Sequence, residues 1–91
     1  MIADRRHATQ EQLSQPRQLL VKFKADGLPR QADEVGSLQE ASQVYQRFIC
    51  AQGLGAREIG EAKVFSADPH MTGVLVLEAE VSYNGRVWVR P

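Results

Sequence analysis

Residues 74–90, Val-Leu-Val-Leu-Glu-Ala-Glu-Val-Ser-Tyr-Asn-Gly-Arg-Val-Trp-Val-Arg, hold two strand-like runs separated by Asn84-Gly85. An Asn-Gly pair between β-rich runs is the strongest short hairpin signal, because a type I′ turn needs positive φ at both central residues and these two tolerate it best. The stretch predicts strands over 74–83 and 86–90. A two-residue loop would pair Tyr83 with Arg86, Ser82 with Val87, Val81 with Trp88 and Glu80 with Val89. Paired residues share a face, so the loop length decides which side chains lie together. One face then carries Leu75, Leu77, Ala79, Val81, Tyr83 and Trp88 and is expected to meet a helix. The other carries Val74, Val76, Glu78, Glu80, Ser82, Val87 and Val89.

The helix lies upstream. Ser37 followed by Glu40 is a capping box, in which each side chain satisfies a backbone N–H of the other residue. Leu38, Ala41, Val44, Tyr45, Phe48 and Ile49 recur at three- and four-residue steps and form one apolar face. Gly53 stands where a left-handed cap ends a helix, and Leu54 can pack back on the last turn. A helix over about 38–52 follows, with Phe48 expected to meet Trp88 between helix and sheet.

Two further strands are predicted. Residues 62–67, Ala-Lys-Val-Phe-Ser-Ala, lead into an Asp68-Pro69-His70-Met71-Thr72-Gly73 turn. Residues 18–25 alternate, with Leu19, Val21, Phe23 and Ala25 on one side and Leu20, Lys22 and Lys24 on the other, as in a half-buried strand. Residues 26–36 read as a polar loop with a short extended piece near Glu34 and Val35. Residues 1–16 contain few large apolar groups, so burial there cannot offset the entropy of ordering. Thr9 and Gln12 can cap one transient helical turn, which Pro16 would stop. The expected fold class is α+β. Its order is β-α-β-β-β, with one helix packed on one face of an antiparallel sheet: residues 1–16 a flexible, disordered tail, residues 17–91 a single domain.

Composition narrows the function. Ninety-one residues allow one domain, and one cysteine precludes an internal disulfide or a cysteine-built zinc site. Eleven basic and eleven acidic residues give zero net charge, against a strongly basic nucleic-acid binder and a highly acidic DNA mimic. No apolar run reaches membrane-spanning length and no secretory signal is evident, so a cytoplasmic protein that does not engage the membrane is expected. Residues 1–30 hold six basic and three acidic groups, and residues 31–91 five basic and eight acidic.

No catalytic set assembles. Cys50 falls on the polar helix face, with neither His7 nor His70 placed beside it as a base. Asp68-Pro69-His70 is ordinary turn chemistry, short of the three or four ligands a metal needs. Gly53-Leu54-Gly55 and Gly60 are not a phosphate loop, since the first glycine closes a helix and no Lys-Ser or Lys-Thr follows. The expectation is a protein that is not an enzyme and takes no cofactor or metal.

Val74, Val76, Glu78, Glu80, Val87 and Val89 form the candidate protein interface, an apolar patch bordered by charge, for an unidentified partner or a homodimer. The alternative is a nucleic-acid-binding accessory protein using Arg5, Arg6, Arg17, Lys22 and Lys24 of the basic N-terminal third. Lys22, Lys24, Arg86 and Arg90, with Trp88 and Tyr83 as stacking groups, would supply the sheet-borne version.

The phrase Val81-Ser82-Tyr83-Asn84-Gly85-Arg86-Val87-Trp88, with Ser37-Leu38-Gln39-Glu40-Ala41 at the helix start, resembles short uncharacterised proteins of bacterial phages and other mobile elements. The layout of a capped helix followed by a strand hairpin is similar to that of small phage-encoded anti-CRISPR inhibitors. The resemblance spans residues 18–91. It implies a small protein of a phage or mobile element that acts by binding a host factor, and it carries over no functional residue.

Overall fold

Capping chemistry sets the long helix, as its sequence predicts. The computed structural model, which describes residues 4–90, places a helix at Leu38–Gln52 with Ser37 at its N-cap accepting a hydrogen bond from the Glu40 backbone N–H at 3.1 Å. The Glu40 carboxylate accepts from the N–H of Gly36, one residue further back than the expected reciprocal partner. Gly53 ends the helix at φ 63°, a left-handed conformation that costs glycine least.

The elements in chain order are β1 (Arg6–His7), α1 (Gln10–Ser14), β2 (Leu19–Phe23), β3 (Gln31–Val35), α2 (Leu38–Gln52), β4 (Ala62–Ala67), β5 (Leu75–Val81) and β6 (Val87–Val89). One six-stranded sheet has the order β1-β6-β5-β4-β2-β3, and every neighbouring pair is antiparallel. The α+β class and the long helix on one face of an antiparallel sheet are therefore present. The extended piece near Glu34 and Val35 grows into β3, which pairs with β2 from Leu19↔Val35 to Phe23↔Gln31.

The core lies between α2 and the sheet. Leu38, Ala41, Tyr45 and Ile49 of α2 are buried against Leu19, Val21 and Phe23 of β2, Val64 of β4, Ala79 and Val81 of β5, and Val87 and Val89 of β6. Phe23 meets Tyr45 and Phe48 edge-on, with ring centroids 5.3 and 5.1 Å apart. The Tyr45 hydroxyl donates to the carbonyl of Gly60 at 2.7 Å, so its one polar atom is satisfied inside the core. Burial, with smaller contributions from the nearby Glu61 and Tyr83, pushes its pKa up to about 12.

One expectation is corrected, the hairpin register. Val81 pairs with Val87, Glu80 with Trp88 and Ala79 with Val89, one residue away from the two-residue-loop pairing. The loop has three residues, Tyr83-Asn84-Gly85, with only Gly85 at positive φ (86°). The Gly85 N–H donates to the carbonyl of Ser82 at 2.8 Å and the Ser82 N–H donates to the carbonyl of Arg86 at 3.0 Å. The Asn84 side chain accepts from the Arg86 N–H and from the Ser82 hydroxyl instead of entering a left-handed turn. This is a turn followed by a left-handed glycine, the common three-residue hairpin. A slip of one residue reverses faces, so Val87 and Val89 face the core and Trp88 faces away from Phe48.

The N-terminal segment adds two short elements, β1 and α1, ahead of β2. The Thr9/Gln12 cap forms, with the Thr9 hydroxyl accepting from the Gln12 N–H and the Gln12 side chain accepting from the Thr9 N–H. Arg6 and His7 pair with Val89 and Trp88, the Ala8 N–H donates to the carbonyl of Val87, and Leu13 packs on the core. Backbone pairing to an edge strand supplies the anchoring that apolar content does not. Residues 1–3, the rest of the expected tail, lie outside the described residues.

Candidate functional site

Cross-strand pairing defines the sheet face opposite α2. One row runs Lys22, Lys63, Glu80, Trp88, His7 across β2, β4, β5, β6 and β1. A second row runs Leu20, Phe65, Leu77 across β2, β4 and β5 and continues to the Ala67–Leu75 pair. The second row owes its composition to a bulge. Val64 pairs with Ala79 but Phe65 pairs with Leu77, so Glu78 is an extra residue in β5. Beyond that point the alternation reverses. Leu75 and Leu77 leave the core side and join Phe65, with Leu75 43% exposed.

At one end of this face a groove of about 580 Å³ is lined by Lys22, Lys24, Arg30, Lys63, Glu61 and Glu80, with Phe65 also in its wall. The Lys22 ammonium lies 5.6 Å from the Phe65 ring centroid. At the other end Arg5 closes over Trp88. Its guanidinium carbon is 4.8 Å from the indole centroid, and the His7 ring is 4.1 Å away. The Arg5 guanidinium donates to Glu61 at 3.1 Å and to Glu80 at 3.2 Å. Those contacts, the hydrogen bond with Glu61 above all, raise the arginine pKa against the opposing effect of burial. Glu80, although on the face away from the helices, is only 2% exposed beneath this clasp.

The six residues of the expected protein interface are not brought together. Val87 and Val89 are in the core, and Glu80 lies on the opposite side under Arg5. Glu78 sits at the bulge, accepting from the Ser66 hydroxyl and from Arg17, both at 2.7 Å. Burial raises the Glu78 pKa, but these hydrogen bonds and the charges of Arg17 and Arg90 outweigh it and hold the carboxyl below its ordinary value. Val76 pairs with Ser66, and Val74 is exposed just before β5.

The five basic residues of the nucleic-acid alternative scatter as well. Arg5 and Arg17 are in ion pairs, and Arg6 pairs with Val89, away from the face that carries His7. Lys22 and Lys24 line the groove, where Arg30 and Lys63 join them, two residues sequence reasoning left out of the site. The alternation of residues 62–67 placed Lys63 and Phe65 on one strand face, so half of that signal was readable. Tyr83 sends its hydroxyl to the carbonyl of Leu54, and the Trp88 indole N–H donates to the Ser82 hydroxyl. Cys50 is exposed on α2, and His70 donates its backbone N–H to the Asp68 carboxylate, an Asx turn. Among the described residues no helix is long and apolar enough to cross a membrane.

Comparison of the chain with family models, with curated proteins and with solved structures gives no match.

Proposed function

We propose that the chain is a non-enzymatic binding module that docks a second protein on the sheet face opposite α2. The observation carrying this reading is the apolar row Leu20, Phe65, Leu77 and Leu75 on a face that neither helix covers. An antiparallel sheet with one face in water normally alternates apolar-in and polar-out, and monomers seldom leave a sizeable apolar patch bare. The row is bordered by charge, with Lys22 and Lys63 on one side and Glu34 paired to Leu20 on the other. A module that works by occupying another protein is also what the resemblance to small phage and mobile-element proteins implies.

Selection of random peptides on the immobilised protein, followed by mapping of amide chemical shifts, tests this. Selected peptides should move the resonances of Leu20, Phe65 and Leu77. Leu77→Lys should weaken them by about tenfold or more, the effect of losing one well-packed apolar contact. Met71→Lys, in a turn where the side chain is 58% exposed, should not. Peptides that map to the α2 side of the molecule would refute the proposal.

A further inference from the structure

We infer that the partner is an acidic protein segment, whose carboxylates enter the groove formed by Lys22, Lys24, Arg30 and Lys63 while its apolar side chains lie on the leucine row. The inference rests on the reading of this sheet face as a docking surface.

Three observations carry it. The first is that the basic groups of the groove make no ion pair among the described residues, although Glu80 is the cross-strand neighbour of Lys63. Among the described residues the ion pairs are those of Arg5 with Glu61 and Glu80 and of Arg17 with Glu78. The carboxylates that share the groove, Glu61 and Glu80, are held by Arg5.

The second is a like-charge pair in register. Lys22 and Lys63 are direct cross-strand partners on the same face. Like charges placed directly opposite destabilise a sheet. An anionic occupant between them would convert that repulsion into two favourable contacts, so the pair is better suited to the bound state than to the free one.

The third concerns which anion fits. Single-stranded nucleic acids bind sheets by stacking bases on aromatic faces in addition to phosphate contacts. Trp88 has Arg5 and His7 against its ring, and Phe65 has Lys22 over it, so both rings of this face are already contacted by charged or aromatic groups. The chain is neutral overall, which leaves little long-range attraction for a polyphosphate. The leucine row beside the groove matches the apolar residues of a peptide and offers nothing to a sugar-phosphate backbone.

The experiment uses the intact chain and three fluorescent probes: a peptide alternating Glu and Leu, the same peptide with Gln in place of Glu, and an oligothymidine of similar length. The Glu-Leu peptide should bind about tenfold or more tighter than the Gln-Leu peptide at low salt, and this margin should shrink as salt screens the charges. Lys63→Glu combined with Arg30→Glu, checked for native circular dichroism, should remove the margin and leave Gln-Leu binding unchanged. Equal binding of the two peptides would overturn the acidic-partner inference and leave the docking surface standing. Failure of both peptides would overturn the two together. Tighter binding of oligothymidine than of the Glu-Leu peptide would assign the groove to nucleic acid. Displacement of the peptide by self-association of the chain would assign the face to a second copy, and either result refutes an acidic segment as partner.

Discussion

The two faces of this sheet are built from the same six strands and meet opposite demands. On the α2 side, Val21, Val64, Ala79 and Val89 form one continuous cross-strand row, all buried. On the other side the neighbouring row is Lys22, Lys63, Glu80 and Trp88, where like charges adjoin and a carboxylate is covered by an arginine. The first row needs only volume and apolar surface. The second is held by specific electrostatic contacts and includes two lysines that make no ion pair among the described residues. Buried apolar packing is thus concentrated on one face and, on the proposed reading, recognition chemistry on the other, and substitutions should separate the two.

The largest effect is expected on the covered side. Tyr45 is 0% exposed, packs edge-on against Phe23 and anchors its hydroxyl on Gly60. Tyr45→Ala should cost about 3–5 kcal/mol, most of the stability of a domain this small. Urea denaturation followed by circular dichroism checks it. A midpoint close to that of the parent would mean that α2 does not carry the core.

Next comes the clasp. Arg5→Ala withdraws a charged hydrogen bond from the nearly buried Glu80 and uncovers Trp88. The expected loss is roughly 1–3 kcal/mol. Trp88 is the one tryptophan of the chain, so its emission should shift to the red as water reaches the ring. If both midpoint and emission stay put, the N-terminal strand is not part of the open face, and the contrast between the faces loses one of its specific contacts.

Gly85 links the faces, because its turn sets which side chains belong to which. Its φ is 86°, and an added Cβ would stand 3.3 Å from the Gln46 side chain and 3.4 Å from the Ser42 hydroxyl, which itself donates to the Gly85 carbonyl at 2.7 Å. Gly85→Ala should cost about 1–2 kcal/mol from the left-handed backbone alone. Nitrogen–proton spectra should show the loss centred on the loop and the helix positions it touches. An unperturbed Ala variant would mean that Gly85 is not held in the left-handed conformation on which this loop depends.

That turn and one bulge account for what the sequence left hidden. Helix α2 was legible because capping, periodicity and the Gly53 stop all point to the same element. Strands β2, β4, β5 and β6 were legible from alternation and turn residues. Faces were not, because alternation has a period of two and any odd insertion inverts it. The hairpin inserted one residue in its loop and β5 inserted Glu78, and neither is marked by a residue type peculiar to it. Asn84-Gly85 serves a three-residue loop as readily as a two-residue one. The N-terminal strand was missed for a different reason. Its stability comes from backbone pairing and the Arg5 clasp, which composition does not register. The groove was hidden for a further reason, since Arg30 and Lys63 join Lys22 and Lys24 only once the strand order is known.

The bulge carboxylate should also make stability depend on pH. Glu78 is stabilised in its charged form by Ser66, Arg17 and Arg90, so its folded pKa lies below the ordinary 4.5. A depressed carboxyl contributes stability that is fully present above the unfolded value and lost as pH falls through the folded one. Unfolding midpoints should therefore decline below pH 4.5, and Glu78→Gln should flatten part of that decline. A decline identical in parent and variant would mean that the bulge carboxylate is not held by its neighbours.

The smallest effect is the most discriminating, because its sign differs between the two faces. Any charged substitution in the Val21 row would unfold the protein by burying an unpaired charge. Lys22→Glu, one residue along the same strand, should do the reverse. It replaces the Lys22–Lys63 repulsion with an opposite-charge pair in direct register. Such cross-strand pairs contribute roughly 0.2–1 kcal/mol, offset in part by the lost contact between the ammonium and the Phe65 ring. The midpoint should rise slightly in low salt, and the gain should vanish near 1 M salt, where the screening length is only about 3 Å. A gain that survives high salt would be a packing effect, and Lys22 would then belong to the structure of the sheet and not to its recognition chemistry. The same substitution should weaken binding of an acidic peptide, so stability and binding would move in opposite directions. That divergence is expected of a residue kept for a partner at some cost to the fold, and it has no counterpart among the buried valines on the other side.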